Sequence, residues 1–310
     1  MIYGKNQRGI ALLTVLLATA LVAILAVGMT FAQHIDIRRT SNLIDGDKAM
    51  ILALGLEEWA AQIMKRDSEE GSSDNLGEDW AMGLMPITAG DGIISGSIVD
   101  LQGKINLNNL DGDDANIAEE TRLELLNLFE SCEVEDSNGL VQALADWLDK
   151  DGEVREEGSE DNDYLLNDPP YLPANRLMVS PTELLLVRGM VPEKYACIEP
   201  SIATLPVTTS ININTAGARV VASLSENITI AAAEEIVRDR PGSGYETVTD
   251  FLSHTSMAGS GVDSDGLTLA SNYFLLQGRA NYGEAEIRLY SIFFRKSGSL
   301  DLVARSIGTY

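Results

Sequence analysis

Residues 10–32 form one apolar run without a charged side chain. At about 1.5 Å per residue, a helix through it spans roughly 35 Å, enough for a bilayer core of about 30 Å. Beyond it, Met50, Ile51, Leu52, Leu54, Leu56, Trp59, Ile63 and Met64 recur at helical spacing with Glu57, Glu58 and Lys65 between them. This pattern predicts an amphipathic helix lying against a core. Together the two stretches predict one helix of about fifty residues, broken or bent over 41–47, where Gly46 is the weak point. Ser, Gly, Asp and Glu over 67–79 predict a loop.

The period then shortens. Residues 92–102 carry a strand pattern, which returns only at 273–279, 284–295 and 300–307. Helical patterns occupy 119–129, 139–148, 180–187, 216–224, 231–238 and 247–252. The economical arrangement is an α+β fold: a long N-terminal helix, a sheet begun near 92 and completed by three C-terminal strands, and a mostly helical insertion between. The expected divisions are 1–9, 10–32, 33–111, an inserted domain over 112–268, and 269–310.

Two stretches inside the insertion echo one another, Ile105-Asn106-Leu107-Asn108-Asn109 and Ile211-Asn212-Ile213-Asn214-Thr215, each ahead of a helix. The echo reads either as an internal duplication or as repeated capping by Asn and Thr side chains. The second stretch continues into a pair of helices similar to helix-hairpin-helix modules. Its basic residues, Arg219, Arg238 and Arg240, stand among Glu226, Glu234, Glu235, Asp239 and Asp250. Counterion release from nucleic acid would supply little there, and no nucleic-acid partner is expected.

The net charge of −25 points the same way, favouring cations and basic partners over phosphate backbones. Lys5 and Arg8 precede the apolar run, so the N-terminus is expected in the cytoplasm and the remainder across the membrane. Gly9 is the small residue beside the charged flank, and it lies before the apolar run rather than after it as in a secretory signal. Arg8-Gly9-Ile10-Ala11-Leu12-Leu13 resembles the site that prepilin peptidase cuts in type IV pilins and pseudopilins, which implies loss of residues 1–9 and a mature, methylated N-terminus at Ile10. A plain signal anchor carrying an unrelated domain is the alternative.

The two cysteines, Cys132 and Cys197, would favour pairing in an oxidising compartment, closing a loop worth about 4 kcal/mol in chain entropy. His34 and His254 stand apart from them in sequence, so a zinc site or a Cys/His nucleophile lacks its parts. The densest chemistry is Asp146-Trp147-Leu148-Asp149-Lys150-Asp151-Gly152-Glu153, followed by Gly158-Ser159-Glu160-Asp161-Asn162-Asp163-Tyr164. Alternating carboxylates closed by a second acidic loop suit Ca²⁺, with Asp149, Asp151, Glu153, Glu160 and Asp163 as candidate ligands. The spacing is not that of an EF-hand. A solvated loop and acid/base catalysis remain the other readings of the same residues.

The chain is similar to the type II secretion system protein K family of large minor pseudopilins. Besides the processing site, the resemblance rests on Asp146-Trp147-Leu148-Asp149-Lys150-Asp151, Gly158-Ser159-Glu160, Pro170-Tyr171-Leu172-Pro173-Ala174-Asn175, Glu183-Leu184 to Gly189-Met190, and Ile211-Asn212-Ile213-Asn214-Thr215-Ala216. It implies a pilin-like fold with a large helical insertion, calcium as cofactor, a Cys132–Cys197 disulfide and no enzymatic activity. It also implies a place at the pseudopilus tip with the I and J minor pseudopilins and, through them, the major pseudopilin. The remaining implied partners are the inner-membrane assembly platform, prepilin peptidase and secretion substrates. Ser159 stands where the family pattern has Ala. Thr14, fifth in the mature chain, stands where most pilins carry Glu to meet a neighbour's amine in the membrane, so Thr suits a subunit with none above it. A minor pilin of a surface type IV pilus and a membrane-anchored DNA-uptake protein are the alternatives.

Overall fold

The computed structural model describes residues 8–112, 114–296 and 299–309. The first element, α1 (Arg8–Glu70), is one uninterrupted helix. The break expected over 41–47 does not occur. Gly46 costs about 1 kcal/mol in a helix interior, and the packing that begins three residues later offsets it: Ala49, Ala53, Leu56, Ala60 and Met64 are fully buried at helical spacing. The helix also runs into the expected 67–79 loop, ending at Glu70. Residues 1–7 of the expected leader lie outside the described residues. The apolar N-terminal part of α1 is exposed along its length and is long enough to cross a membrane.

The helix lies on a five-stranded antiparallel sheet, β1 (Leu84–Ala89), β2 (Gly92–Asp100), β7 (Tyr273–Tyr282), β8 (Ala285–Lys296) and β9 (Ser299–Ile307), in the order β1-β2-β7-β8-β9. Between β2 and β7 the chain forms the short strands β3 (Ile105–Asn106), β4 (Ile202–Ala203), β5 (Ile211–Asn212) and β6 (Leu267–Thr268), all within the insertion. Neighbours β2 and β7 are paired from Ile93↔Asn281 to Asp100↔Phe274. The three C-terminal strands stand where periodicity puts them. β1 was not foreseen, because Pro86 interrupts its pattern and four of its six residues are exposed. Two paired glycines explain how closely α1 approaches: a Cβ at Gly278 would lie 2.9 Å from the Leu56 side chain, and one at Gly96 would lie 3.3 Å from it.

The direction of packing fixes where the insertion sits. Gly92 lies beside Leu52, whereas Ile98 and Phe274 cluster with Ala60, Met64 and Trp80 near the C-terminal end of α1. The insertion leaves from Asp100 and returns at Tyr273, so it grows from the end of the sheet farthest from the apolar part of α1. Alternation along β7 then serves two cores: Phe274 and Leu276 face α1, while Tyr273 and Leu275 meet Leu101, Ala203 and Leu205 on the other face.

The insertion comprises β3 (Ile105–Asn106), α2 (Ala115–Ser131), α3 (Ser137–Leu148), α4 (Asp161–Tyr164), α5 (Pro192–Ile198), β4 (Ile202–Ala203), β5 (Ile211–Asn212), α6 (Ala218–Ser223), α7 (Ile230–Asp239), α8 (Val248–Leu252) and β6 (Leu267–Thr268). The helix expected over 180–187 is instead a 3₁₀ segment, Pro181–Leu186. The expected boundary at 112 also moves. Ile105 and Leu107 are buried in the insertion's own core, because β3 pairs with β4 and not with the large sheet. The unit therefore begins near 103.

The Asn-rich echo has matching geometry in both halves. Asn106 and Asn212 each accept from the amide of the second Asn, Asn108 and Asn214. Asn108 then closes a two-way bridge to the backbone of Met178, and Asn214 does the same to Tyr245. β3 pairs parallel with β4, and β5 pairs parallel with β6. These shared contacts go beyond helix capping.

A buried polar knot joins insertion to sheet. Asp100 accepts from Thr215, Ser271 and Asn212 side chains and from the Gln102 amide. Burial pushes its carboxyl up, and those bonds only partly oppose the shift. Arg295 reaches Asp67 and Asp74 alongside. A further pair fastens α1 to β9: Glu57 receives Arg305 and Ser291. Burial alone would raise the Glu57 carboxyl, but those hydrogen bonds and the charge of Arg305 hold it below its ordinary value.

Candidate functional site

The acidic loops converge at the C-terminal end of α3. Asp149 caps that helix, its amide bonded to the Ala145 carbonyl. One turn earlier Asp146 is fully buried, receiving Arg155 and the Ser159 amide. The chain returns so close over it that a Cβ at Gly158 would stand 1.9 Å from the Asp146 carboxylate. This is why glycine opens the Gly158-Ser159-Glu160 stretch: only an absent side chain lets the second loop pass and drop Glu160 into place.

Asp149, Asp151 and Glu160 each offer a carboxylate oxygen within 4.8 Å of the others. Both Glu160 oxygens and one of Asp149 are buried without a hydrogen-bond partner among the described residues. Burial first, then Asp146, Asp149, Asp161 and Asp151, push the Glu160 carboxyl up to about 7. Arg155 compensates part of the charge by bridging Asp146 and Asp149. Buried carboxylate oxygens facing one another without donors lack a positive charge, and an all-oxygen set suits a hard divalent cation. The residues present thus fit calcium.

Of the five ligands expected from sequence, the structure brings three together. Glu153 points into solvent; its amide is instead held by Asp151. Asp163 turns toward the N-terminus of α4, accepting from the Glu160 amide, and lies 3.5 Å from Arg188. Asp146 and Arg155 are the supporting residues that sequence reasoning missed. Helical spacing held the signal for Asp146, three residues before Asp149 and on the same face. Trp147, Tyr164 and Tyr171 pack edge to face or tilted behind the trio, fixing α4 against α3.

Cys132, at the end of α2, is bonded to Cys197 in α5 across 65 residues. Loop closure of that length stabilises by about 4 kcal/mol. Cys132→Ser with Cys197→Ser should therefore lower stability by about that amount, measured by urea unfolding of the purified chain. An unchanged midpoint would show that the link constrains nothing the core does not already hold. At the other end of the chain, Gly9 lies within α1 and Ile10 is exposed.

The sequence pattern of the family described as type II secretion system (T2SS), protein K, matches residues 103–207 and 211–270. The type II secretion system protein K of Pseudomonas aeruginosa is 32% identical over 98% of this chain and 94% of its own. That of Aeromonas hydrophila is 32% identical over 98% of each. A chain of the crystal structure of the GspK-GspI-GspJ complex from the enterotoxigenic Escherichia coli type 2 secretion system superposes with a TM-score of 0.78. The match covers 88% of this chain and 100% of that one at 24% identity, a likeness of fold.

Proposed function

The chain belongs to the type II secretion system protein K family, and from that premise we propose that it is a minor pseudopilin at the tip of the pseudopilus. There it initiates assembly and caps the filament for protein export across the outer membrane. The observation that carries this reading is the insertion's place at the end of the sheet farthest from the apolar helix. A bulky domain in that position crowns a filament end, but it has little room between subunits stacked with a small axial rise along a shaft.

In this reading prepilin peptidase removes residues 1–9. Ile10–Ala32 anchors the chain once in the inner membrane, with the globular part in the periplasm. Its partners are the other minor pseudopilins, of the kinds named in the solved complex, then the major pseudopilin and the assembly platform. Asp149, Asp151 and Glu160 hold calcium, with backbone carbonyls and water completing the oxygen shell. The ion supplies the missing positive charge and ties the end of α3 to α4.

The test is location. Gold labelling of a tag on the insertion should mark one end of filaments assembled with excess major pseudopilin, and mass spectrometry should find a methylated Ile10 at the mature N-terminus. Label spread along the shafts would refute the tip assignment. An intact Met1 in cells with active prepilin peptidase would refute the pseudopilin one.

A further inference from the structure

The two edges of the large sheet are built differently. β1 is blunted by Pro86 and by a register shift between Leu84 and Ile87, devices that keep other strands from adding. β9 runs from Ser299 to Ile307 without proline. Its free side can be read from two bonds. Gly308 donates to the Arg288 carbonyl on β8, and the Arg295 amide turns the other way, to Asn272. Alternation along an antiparallel ladder then points Ser299, Asp301, Ala304 and Ser306 inward. Leu300, Leu302, Arg305 and Ile307 are left with outward N–H and C=O groups, and among the described residues β9 is the last strand in its sheet. The extra residue, Val303, lies at the bulge and does not alter this assignment.

The flanks of this edge carry exposed apolar groups among polar ones. Leu302 and Ile307 are 42% and 54% exposed. On the other face, the insertion's segment 179–182 stands across a cleft of about 560 Å³ from Ile292, Ala304 and Ser306. Val179, 70% exposed, points its apolar surface there. A strand about 4.8 Å beyond β9 would satisfy the open ladder and lay alternate side chains over that cleft.

We propose that β9 is a docking edge that takes an extended strand of a neighbouring minor pseudopilin by β-augmentation. The incoming segment is free of proline at its inward positions and apolar at alternate ones. The proposal rests on the reading that the chain assembles with other minor pseudopilins, and it names the surface used.

Proline offers a selective probe. At Leu302 or Ile307 it removes only an outward N–H, which an edge strand tolerates; at Ala304 it removes a bond to β8 and should weaken the fold. The full-length chain in detergent, carrying Leu302→Pro and Ile307→Pro, should keep the wild-type melting temperature. It should bind its co-purified cognate minor pseudopilins about tenfold more weakly. In the wild-type complex, amide exchange over 299–309 should slow relative to the chain alone. If wild type binds those partners but the double variant binds equally and exchange is unchanged, β9 is not the docking edge and the assembly reading stands. If wild type binds none of them, both fail. A concentration-dependent dimer of the chain alone that protects these amides would assign the edge to a second copy and overturn the proposal.

Discussion

Calcium is expected to raise the melting temperature of the wild-type chain, and Asp151→Ala combined with Glu160→Ala is expected to abolish that rise. With free calcium about a thousandfold above the dissociation constant, the ion stabilises by about 4 kcal/mol, which moves Tm by roughly 10 °C in a unit of this size. EGTA should reverse the rise in wild type and do nothing to the variant. The pH dependence supplies a second readout. Without metal, burial and the surrounding carboxylates hold the Glu160 carboxyl up at about 7. A raised carboxyl contributes stability that is complete below its unfolded value and is lost as pH rises through the folded one. The metal-free wild type should therefore lose stability between about pH 4.5 and 7, on the order of 3 kcal/mol, and the variant should lack that slope. With calcium the carboxylate stays ionised, so binding should weaken as pH falls through the same window. Scanning calorimetry at several pH values, with calcium and with EGTA, checks both arms. A wild type indifferent to calcium whose slope matches the variant's would leave the acidic loops as solvated surface.

What the sequence disclosed follows from how much each signal depends on local period. The apolar anchor was legible because it runs uncharged for the thickness of a bilayer core, β2, β7 and β8 because buried apolar residues recur along them, and β9 because apolar residues cluster along it although it is mostly exposed. β1 was not, since Pro86 breaks its short run and four of its six residues are exposed. Gly46 misled because propensity is a weak prior beside the burial of Ala49, Ala53 and Leu56. The boundary near 112 failed for a different reason. The turn-rich composition there marks a loop, but Ile105 and Leu107 declare their core only through contacts with residues far along the chain. In the site, residue type singled out Asp149, Asp151 and Glu160, whose carboxylate oxygens the fold brings within 4.8 Å of one another. Glu153 and Asp163 were not separable from them, because outward turning and helix-end capping are set by single hydrogen bonds that composition does not encode.

The corrected boundary determines how the insertion should be removed. Deleting residues 112–268 would strand Ile105 and Leu107 without their core. The cleaner cut takes out 103–270 and joins Gln102 to Ser271 with a short linker. The Gln102 side chain already accepts from the Asn272 amide, and Asp100 is in register with Phe274, so β2 and β7 keep their pairing. Loss of Ala203 and Leu205 uncovers Leu275 and Ile292 on the second face of the sheet, and Leu275→Thr with Ile292→Thr should keep that face soluble. The expected result is a chain that still enters the inner membrane and the filament bundle through α1 but no longer closes the end. Pseudopili formed under excess major pseudopilin should become several times longer than with the intact chain, and secretion should fall. Electron microscopy of filament lengths, with an exposed tag to confirm incorporation, reads both. Filaments as short as those made with the full chain, with the shortened protein incorporated, would show that the insertion does not limit growth and that capping must come from the pilin-like part alone.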